Sequence, residues 1–473
     1  MPSVLDSRIW NIPSLPDNPL VAVAPFLPEE ADSALPCTGR VIAEVVTHTL
    51  WQIPSLNLYH HWLLARDAHH LCHHRPALGE YARQFLRRHE AEVLLTGTYR
   101  LQRRTLHVHL YALQEGSSGL ELLCPVMKAK GSYENLLRWL PCHVLQLANT
   151  VLPGCAPSCS EALQLIDAPL GAVELVAAAL DYASLDAVYD SAEQYWQKAS
   201  QLAPDSAYVL FASTIVGSRL RDVETCRETL QRNPDFLPAC FPDDSVRSDD
   251  SEELREAQEL YLRGLSRAPL NMHGFFGLRE ICVRLGDAET LIPFAKLHTV
   301  RGTFSSRYSE FGDAFLTCME EAKQHGQYEM ARQLFEAGME IIDDPNEQAR
   351  LLEKRGWIEE WDGDDERALW FYEQSLQIKR DVRLILHAAD MYLGLGRVAE
   401  AEALYQQALS LKGRLSRTRR LQAEFGVARC YEETGRLAQA RAIYERLSRE
   451  PASNGTLYPL IFYASDWLRR HGK

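Results

Sequence analysis

Two patterns of apolar residues divide the chain. From Val21 to about Leu152, short apolar runs alternate with helical stretches, the signature of a mixed α/β domain. Val21-Ala22-Val23-Ala24-Pro25-Phe26 reads as a buried strand whose proline sits near its end, where a missing amide donor does least harm. A helix follows in which Val41, Ile42, Val45, Val46, Thr49 and Leu50 recur at three- and four-residue spacing, while Arg40, Glu44 and His48 fall on the other side. Residues 56–59 form a second short strand. A second helix starts near Gly79 and carries Tyr81, Ala82, Phe85 and Leu86, leading into a strand at 93–97. Residues 106–111 and 120–126 alternate across a glycine-rich turn at 115–119 and predict a hairpin or meander, and a closing helix is expected over 132–150.

The order VAVAPF, amphipathic helix, EYARQFLRRHEAEVLLTGTYR and LHVHLYALQEGSSGLELL resembles the TolB-type amino-terminal α/β domain over about residues 20–150. The polar insertion from Asp67 to Pro76 departs from the pattern of that family. The resemblance implies a non-enzymatic domain of the kind attached to helical repeats in the sensor halves of bacterial cyclases and one-component transcription regulators. This sequence carries no winged-helix or cyclase domain.

After a turn-rich connector at 153–170 the strand signals stop and a period appears. Six segments place an aromatic four residues after an alanine and a small or apolar residue three further on: Ala192/Trp196/Ala199, Ala257/Tyr261/Gly264, Ala331/Phe335/Gly338, Ala368/Tyr372/Ser375, Ala401/Tyr405/Ala408 and Ala440/Tyr444/Leu447. The starts lie 65, 74, 37, 33 and 39 residues apart, so the first two intervals hold one degenerate copy each, near 223–235 and 288–300. Gly326, Gly363, Gly396 and Gly435 stand five residues before the alanine, where a left-handed cap ends one helix and lets the next turn back. The pattern resembles the tetratricopeptide repeat, whose period is about 34 residues. The expected architecture is α+β: an arm at 1–19, a small mixed α/β domain at 20–152, the connector, an all-α repeat superhelix at 171–457 of about eight helix pairs, and a capping helix at 458–473.

Composition changes this picture little and charge changes it more. The 473 residues carry a net charge of −14, of which −2 falls on residues 1–170 and −12 on the rest. That balance argues against a general nucleic-acid coat and assigns the acidity to the repeats, so a partner with a basic or neutral surface is expected. The sharpest acidic run, from Asp243 to Glu253, reads as a loop with an N-cap for the next helix. The first twenty residues lack a signal-peptide pattern, no apolar run is long enough to span a bilayer, and no direct membrane or nucleic-acid partner is expected. Eleven scattered cysteines give no disulfide framework; Cys155 and Cys159 read as reduced thiols, and the cytoplasm is the expected compartment.

Candidate chemistry is sparse. Seven of the sixteen histidines lie between positions 48 and 74; within His60–His74, the pairs His69/His73 and His70/His74 have a spacing that can chelate zinc or nickel on a helix, although no glutamate lies inside either pair. A solvated insertion is the plainer reading of HHLCHH, with metal-dependent activity as an alternative. Arg83, Arg87, Arg88, Arg100, Arg103 and Arg104 make the α/β domain locally basic, without the interleaved aromatics that single-strand binding wants. Phosphate-loop, dinucleotide, nucleophile-elbow and kinase motifs are missing from the sequence, and neither an enzyme nor a cofactor is expected. The expected function is that of an adaptor gripping a protein or peptide partner on first-helix residues that the repeat itself does not require: Arg355, Glu359, His387, Asp390, Glu424 and Arg429. The α/β domain would offer a second docking or ligand-sensing surface; the alternative is a regulatory subunit for a separately encoded effector.

Overall fold

A computed structural model describes residues 19–29, 37–54, 56–58, 77–89, 91–117, 119–151, 153, 156–159, 165–183, 189–216, 222–242, 250–301, 313–411, 415–450 and 458–471. They belong to two compact units, 1–310 and 311–473. The fold is α+β: a sheet domain near the amino terminus, then helix hairpins.

In the first unit the strands are β1 (Leu20–Val23), β2 (Leu27–Pro28), β3 (Asn57–Leu58), β4 (Val93–Gln102), β5 (Thr105–Gly116), β6 (Gly119–Leu122) and β7 (Met127–Ser132). They form one sheet in the order β3-β1-β4-β5-β6, with β2 added on β4 and β7 on β5. β1 runs parallel to both neighbours, placing Val21 beside Leu58 and Val93. β4 and β5 pair antiparallel from Val93/Gln114 to Gln102/Thr105 around a tight turn in which Arg103 has φ 57°. Both are longer than their apolar runs suggest. β7 has no clear apolar signal, because in MKAKGS only Met127 and Ala129 are apolar; pairing with the 105–110 half of β5 makes it a strand. The closing helix therefore starts at Leu136, not near Ser132.

Among the described residues three helices cover the sheet: α1 (Thr38–Leu50), α2 (Leu78–His89) and α3 (Leu136–Val151). α2 sets Tyr81, Ala82, Phe85 and Leu86 on the face that carries Ala22, Leu94 and Leu113. The opposite face, with Val21, Val93, Leu95 and Ala112, meets Val46 and Leu50 of α1 and Val144 and Leu147 of α3. Each large side chain buried this way contributes about 1.5–3 kcal/mol.

All thirteen residues of α1 are buried, its polar side included. The helices that follow in this unit explain how: α4 (Leu170–Ala183), α5 (Tyr189–Leu202), α6 (Ala207–Ala212), α7 (Val223–Arg232), α8 (Ser251–Arg267), α9 (Met272–Leu285) and α10 (Ala288–Val300). Arg40 Nε meets Asp181 Oδ1 of α4 at 2.8 Å. Tyr208 of α6 donates its hydroxyl to Glu44 Oε2 at 3.2 Å, and its ring stands edge-on to His48 at 5.2 Å. Tyr133 donates to Glu174 of α4 at 2.8 Å. Near the end of the connector, Asp167 accepts from Ser206 Oγ and from the amides of Ala207 and Tyr208, satisfying the start of α6. The sheet domain and these helices are thus one unit with a polar seam inside it.

The second unit holds α11 (Ala314–Gln324), α12 (Tyr328–Met339), α13 (Pro345–Asp362), α14 (Asp365–Ile378), α15 (Val382–Gly394), α16 (Val398–Ser410), α17 (Arg417–Glu433), α18 (Leu437–Leu447) and α19 (Tyr458–His471). The four glycines expected to end first helices have φ of 71°, 90°, 74° and 73°. At Gly363 the next amide, of Asp364, reaches back to Glu359 O at 2.8 Å, a Schellman closure that a side chain at Gly363 would strain. Ala331, Ala368, Ala401 and Ala440 are fully buried, and Tyr372, Tyr405 and Tyr444 fill the grooves beside them. Gly356 and Gly426 are where two of these rings press on a neighbouring helix: a Cβ at either would overlap Tyr372 or Tyr405. α19 closes the stack, with Trp467 against Tyr444 at 4.9 Å and Ala464 buried.

Candidate partner-binding row

First helices of the second unit carry side chains at a shared register of i, i+4 and i+7: Glu353/Trp357/Glu360 on α13, His387 and Asp390 with Arg383 on α15, and Phe425/Arg429/Glu432 on α17. This spacing puts each trio on one stripe of its helix. The stripes of α13 and α15 touch. Arg383 pairs with Glu353, and the His387 ring stacks on Trp357 at 4.3 Å and 23° while its Nε2 lies 2.8 Å from Glu360 Oε2. Farther along, Arg429 sits over the Tyr463 ring of α19 at 5.9 Å, Phe425 meets it edge-on at 5.4 Å, and Tyr463 donates to Glu432 at 3.2 Å. Asp390 is exposed; Trp357, Glu360, His387 and Arg429 are half-buried.

Second helices hold the row in place from behind. Tyr372, Tyr405 and Tyr444 donate their hydroxyls to Glu360, Asp390 and Glu432 of the first helix in the same repeat. Burial works to raise the Glu360 carboxyl, and the bonds from His387 and Tyr372 outweigh it, leaving the group below its usual range. Burial and the adjacent carboxylate push the Tyr372 phenol upward, so it stays a donor. All three carboxylates are therefore fixed in position by a tyrosine hydroxyl, and Glu360 is held charged.

The sequence-predicted residues divide between this row and the interior. His387, Asp390 and Arg429 lie in it. Arg355 and Glu359 do not, because they are 2 % and 1 % exposed on the opposite side of α13. Glu359 pairs with Arg355 at 2.6 Å and Arg332 at 3.0 Å, and Arg332 also binds Asp362. The Arg355 guanidinium lies 5.6 Å from the Phe335 ring and 5.1 Å from the Phe371 ring, a cation–π setting in which its Nε and Nη1 donate no hydrogen bond. Buried ions need such partners, so these two residues build the repeat and do not face a partner. Glu424 sits off the stripe, paired with Arg446 at 2.9 Å. Glu353, Trp357, Glu360, Arg383, Phe425, Glu432 and Tyr463 were missed; the i, i+4, i+7 register repeated on successive first helices is the signal that finds them.

Elsewhere, His60, His61, His69, His70, His73 and His74 lie outside the described residues. Among the described residues no group of three or more His, Cys, Asp or Glu is placed to hold a metal ion. Within the arginine cluster, Arg87 pairs with Glu115 at 2.6 Å and Arg104 with Glu134 at 3.2 Å, both on the surface. Asp250, at the end of the acidic run, caps α8 by accepting from the amide of Glu252. Cys159 is not a reduced thiol: it forms a disulfide with Cys142. Among the described residues no helix is long and apolar enough to cross a membrane.

Residues 382–414, comprising α15, α16 and the turn joining them, match the family model of the tetratricopeptide repeat. Solved structures similar to parts of this chain include pilF of Pseudomonas aeruginosa (14 % identity, TM-score 0.28, 51 % of this chain and 95 % of that one). A tetratricopeptide repeat protein from Parabacteroides merdae (14 %, 0.26, 62 % and 99 %) and yeast Tom70 (14 %, 0.30, 63 % and 64 %) are others. No curated protein sequence matches the chain. The repeat match and the in-phase hairpins around it define a tetratricopeptide-repeat array. Arrays of this kind are scaffolds for protein–protein interaction.

Proposed function

We propose that this chain is a cytoplasmic, non-enzymatic adaptor whose second unit holds a protein or peptide partner along the row from Glu353 to Tyr463. The observation that carries the reading is the repeated register: three successive first helices present aromatic and charged side chains on one stripe, with carboxylates anchored by tyrosines behind them. Side chains fixed before binding lose little entropy on contact, which is how modest contacts on a preformed surface add up to affinity. The row offers carboxylates at Glu353, Glu360, Asp390 and Glu432 against Arg383 and Arg429, which suits a partner of basic or neutral surface. The α/β domain supplies a second docking surface, and the TolB-like reading of that domain is supported by its strand, helix, strand, helix, strand order.

The test is affinity capture with the intact chain and with a His387→Ala/Asp390→Ala/Arg429→Ala variant, beside an Asp365→Ala/Glu366→Ala control on α14. The row variant should lose captured partners that the control retains. Capture of every partner unchanged by the row variant would show that the partner binds elsewhere.

A further inference from the structure

Three cavities of the first unit differ in what their walls leave unsatisfied. Between the sheet and helices α1 and α3, a space of about 30 Å³ is lined by apolar side chains and has room for about one or two waters. Beside Trp51 and Leu237, a space of about 340 Å³ carries Asp235 and Arg267 on its wall, and these two pair with each other. The third, of about 210 Å³, lies between α1, α3 and residues 165–166, and its charge is left open.

Leu137 of α3, with Leu165 and Ile166, gives this cavity apolar walls. Buried His48 and Thr49 of α1 give it a polar floor; Thr49 donates its hydroxyl to Val45 O at 2.6 Å. Arg138 of α3 is exposed and marks the mouth. Among the described residues its guanidinium meets no acceptor, since Glu134, four residues back, is taken by Arg104 at 3.2 Å. None of the described lining residues is acidic, and Glu44, beside His48, is turned away into the polar seam with Tyr208. A wholly apolar ligand would press on the polar floor and leave Arg138 unpaired. A single planar cation matches a single carboxylate better than a phosphate, which calls for more positive charge. An apolar cavity of about 150 Å³ admits benzene, so this one has room for a ring and its carboxylate.

We propose that the cavity binds a small carboxylate with an apolar body about the size of one aromatic ring. The carboxylate takes both arms of the Arg138 guanidinium at the mouth, and the ring lies between Leu137 and the wall of Leu165 and Ile166. This small-molecule site belongs to the first unit and does not rest on the partner-binding row of the second.

Titration of the intact chain by ligand-observed NMR tests this, with benzoate as the probe. Benzoate should bind saturably with a Kd of about 1 mM or tighter, the range open to a ligand of that size. Benzyl alcohol, which lacks the charge, and acetate, which lacks the ring, should each bind about tenfold more weakly. Arg138→Gln should weaken benzoate about tenfold and leave benzyl alcohol unchanged, a split that a general loss of structure would not produce. Leu137→Trp fills the cavity and should weaken both, whereas Arg83→Gln, at an exposed arginine of α2, should change neither. A circular dichroism spectrum like that of the parent shows that each variant is folded. Absence of saturable benzoate binding, equal affinity for benzyl alcohol, or full benzoate affinity in Arg138→Gln or Leu137→Trp would each overturn the site.

Discussion

The two units treat polar residues on helices in opposite ways. In the first, Arg40, Glu44 and His48 form a stripe opposite the apolar side of α1 and are 5 %, 1 % and 1 % exposed, because the first helix hairpins pack on that side. In the second, the stripes of α13 and α15 pair with each other, that of α17 pairs with Tyr463 of α19, and all stay half-open to solvent. Similar i, i+4 polar spacing thus has two fates. An element that must join a sheet domain to a helical array needs two buried faces, and the polar one is satisfied by side chains from the array. A repeat that packs only on its like needs two apolar contacts and leaves a face over.

The largest effects expected are those of removing a buried ion from each unit. Arg40→Ala leaves Asp181 without its 2.8 Å partner, and Glu359→Ala leaves Arg355 and Arg332 without the carboxylate they share. Each should cost about 3–5 kcal/mol, seen as faster hydrogen exchange in peptides of α1 and α4 for the first and of α12 to α14 for the second. Asp390→Ala, on the open row, removes only the acceptor of the Tyr405 hydroxyl and should cost about 1–2 kcal/mol. A cost for Asp390→Ala equal to that of Glu359→Ala would erase the distinction between row and interior.

Close packing comes next. Gly356→Ala drives a methyl group into the Tyr372 ring and should destabilise the second unit by about 2 kcal/mol in urea unfolding. Gly394→Ala, at the end of α15 with nothing within 4 Å of its Cβ, should be neutral or slightly stabilising. If both cost the same, the tyrosine is not what fills that groove.

Acid should separate the units again. Burial lowers His298 of the first unit from 6.5 to about 3, so the folded state keeps it neutral while the unfolded chain protonates. The stability this confers is complete above pH 6.5 and declines as pH falls toward 3, by about 2 kcal/mol between pH 6.5 and 5. Glu360 of the second unit is held below its ordinary value of 4.5, so its contribution persists until the pH drops below that value. Hydrogen exchange at pH 7 and pH 5 should therefore show protection falling in α9 and α10 and holding in α13 and α15. His298→Gln should remove most of that pH dependence; an unchanged dependence would assign it to another group.

Much of this architecture could be read in the chain, and the exceptions have physical causes. The repeat register was legible because each hairpin reuses one solution: alanine for close approach, an aromatic for the groove, glycine for the turn. Strand β7 was not, because its pairing energy comes from β5 and not from its own apolar residues. His387, Asp390 and Arg429 were found as polar first-helix positions, whereas Arg355 and Glu359 met the same criterion and are buried. One-dimensional register cannot tell a polar residue facing solvent from one facing Phe335, Phe371 and Arg332. The burial of α1's polar side was hidden for the same reason, since Asp181 and Tyr208 lie 141 and 164 residues from their partners.

The smallest effect expected compares one turn in both units. Gly286-Asp287 and Gly363-Asp364 each end a helix on a left-handed glycine and begin the next on an aspartate, which accepts from the Thr290 amide at 3.1 Å or the Arg367 amide at 3.0 Å. Loss of either cap should cost about 1 kcal/mol. Asp287 has a second task that Asp364 lacks: its Oδ2 accepts from Gln258 Nε2 of α8 at 2.8 Å, a bond that ties two hairpins. Asp287→Ala should therefore exceed Asp364→Ala by about 1 kcal/mol, and Gln258→Ala should bring the two caps level. Equal costs in the parent background would mean that the Gln258 bond adds nothing, and that the turn, wherever it occurs in this chain, is stabilised by its cap alone.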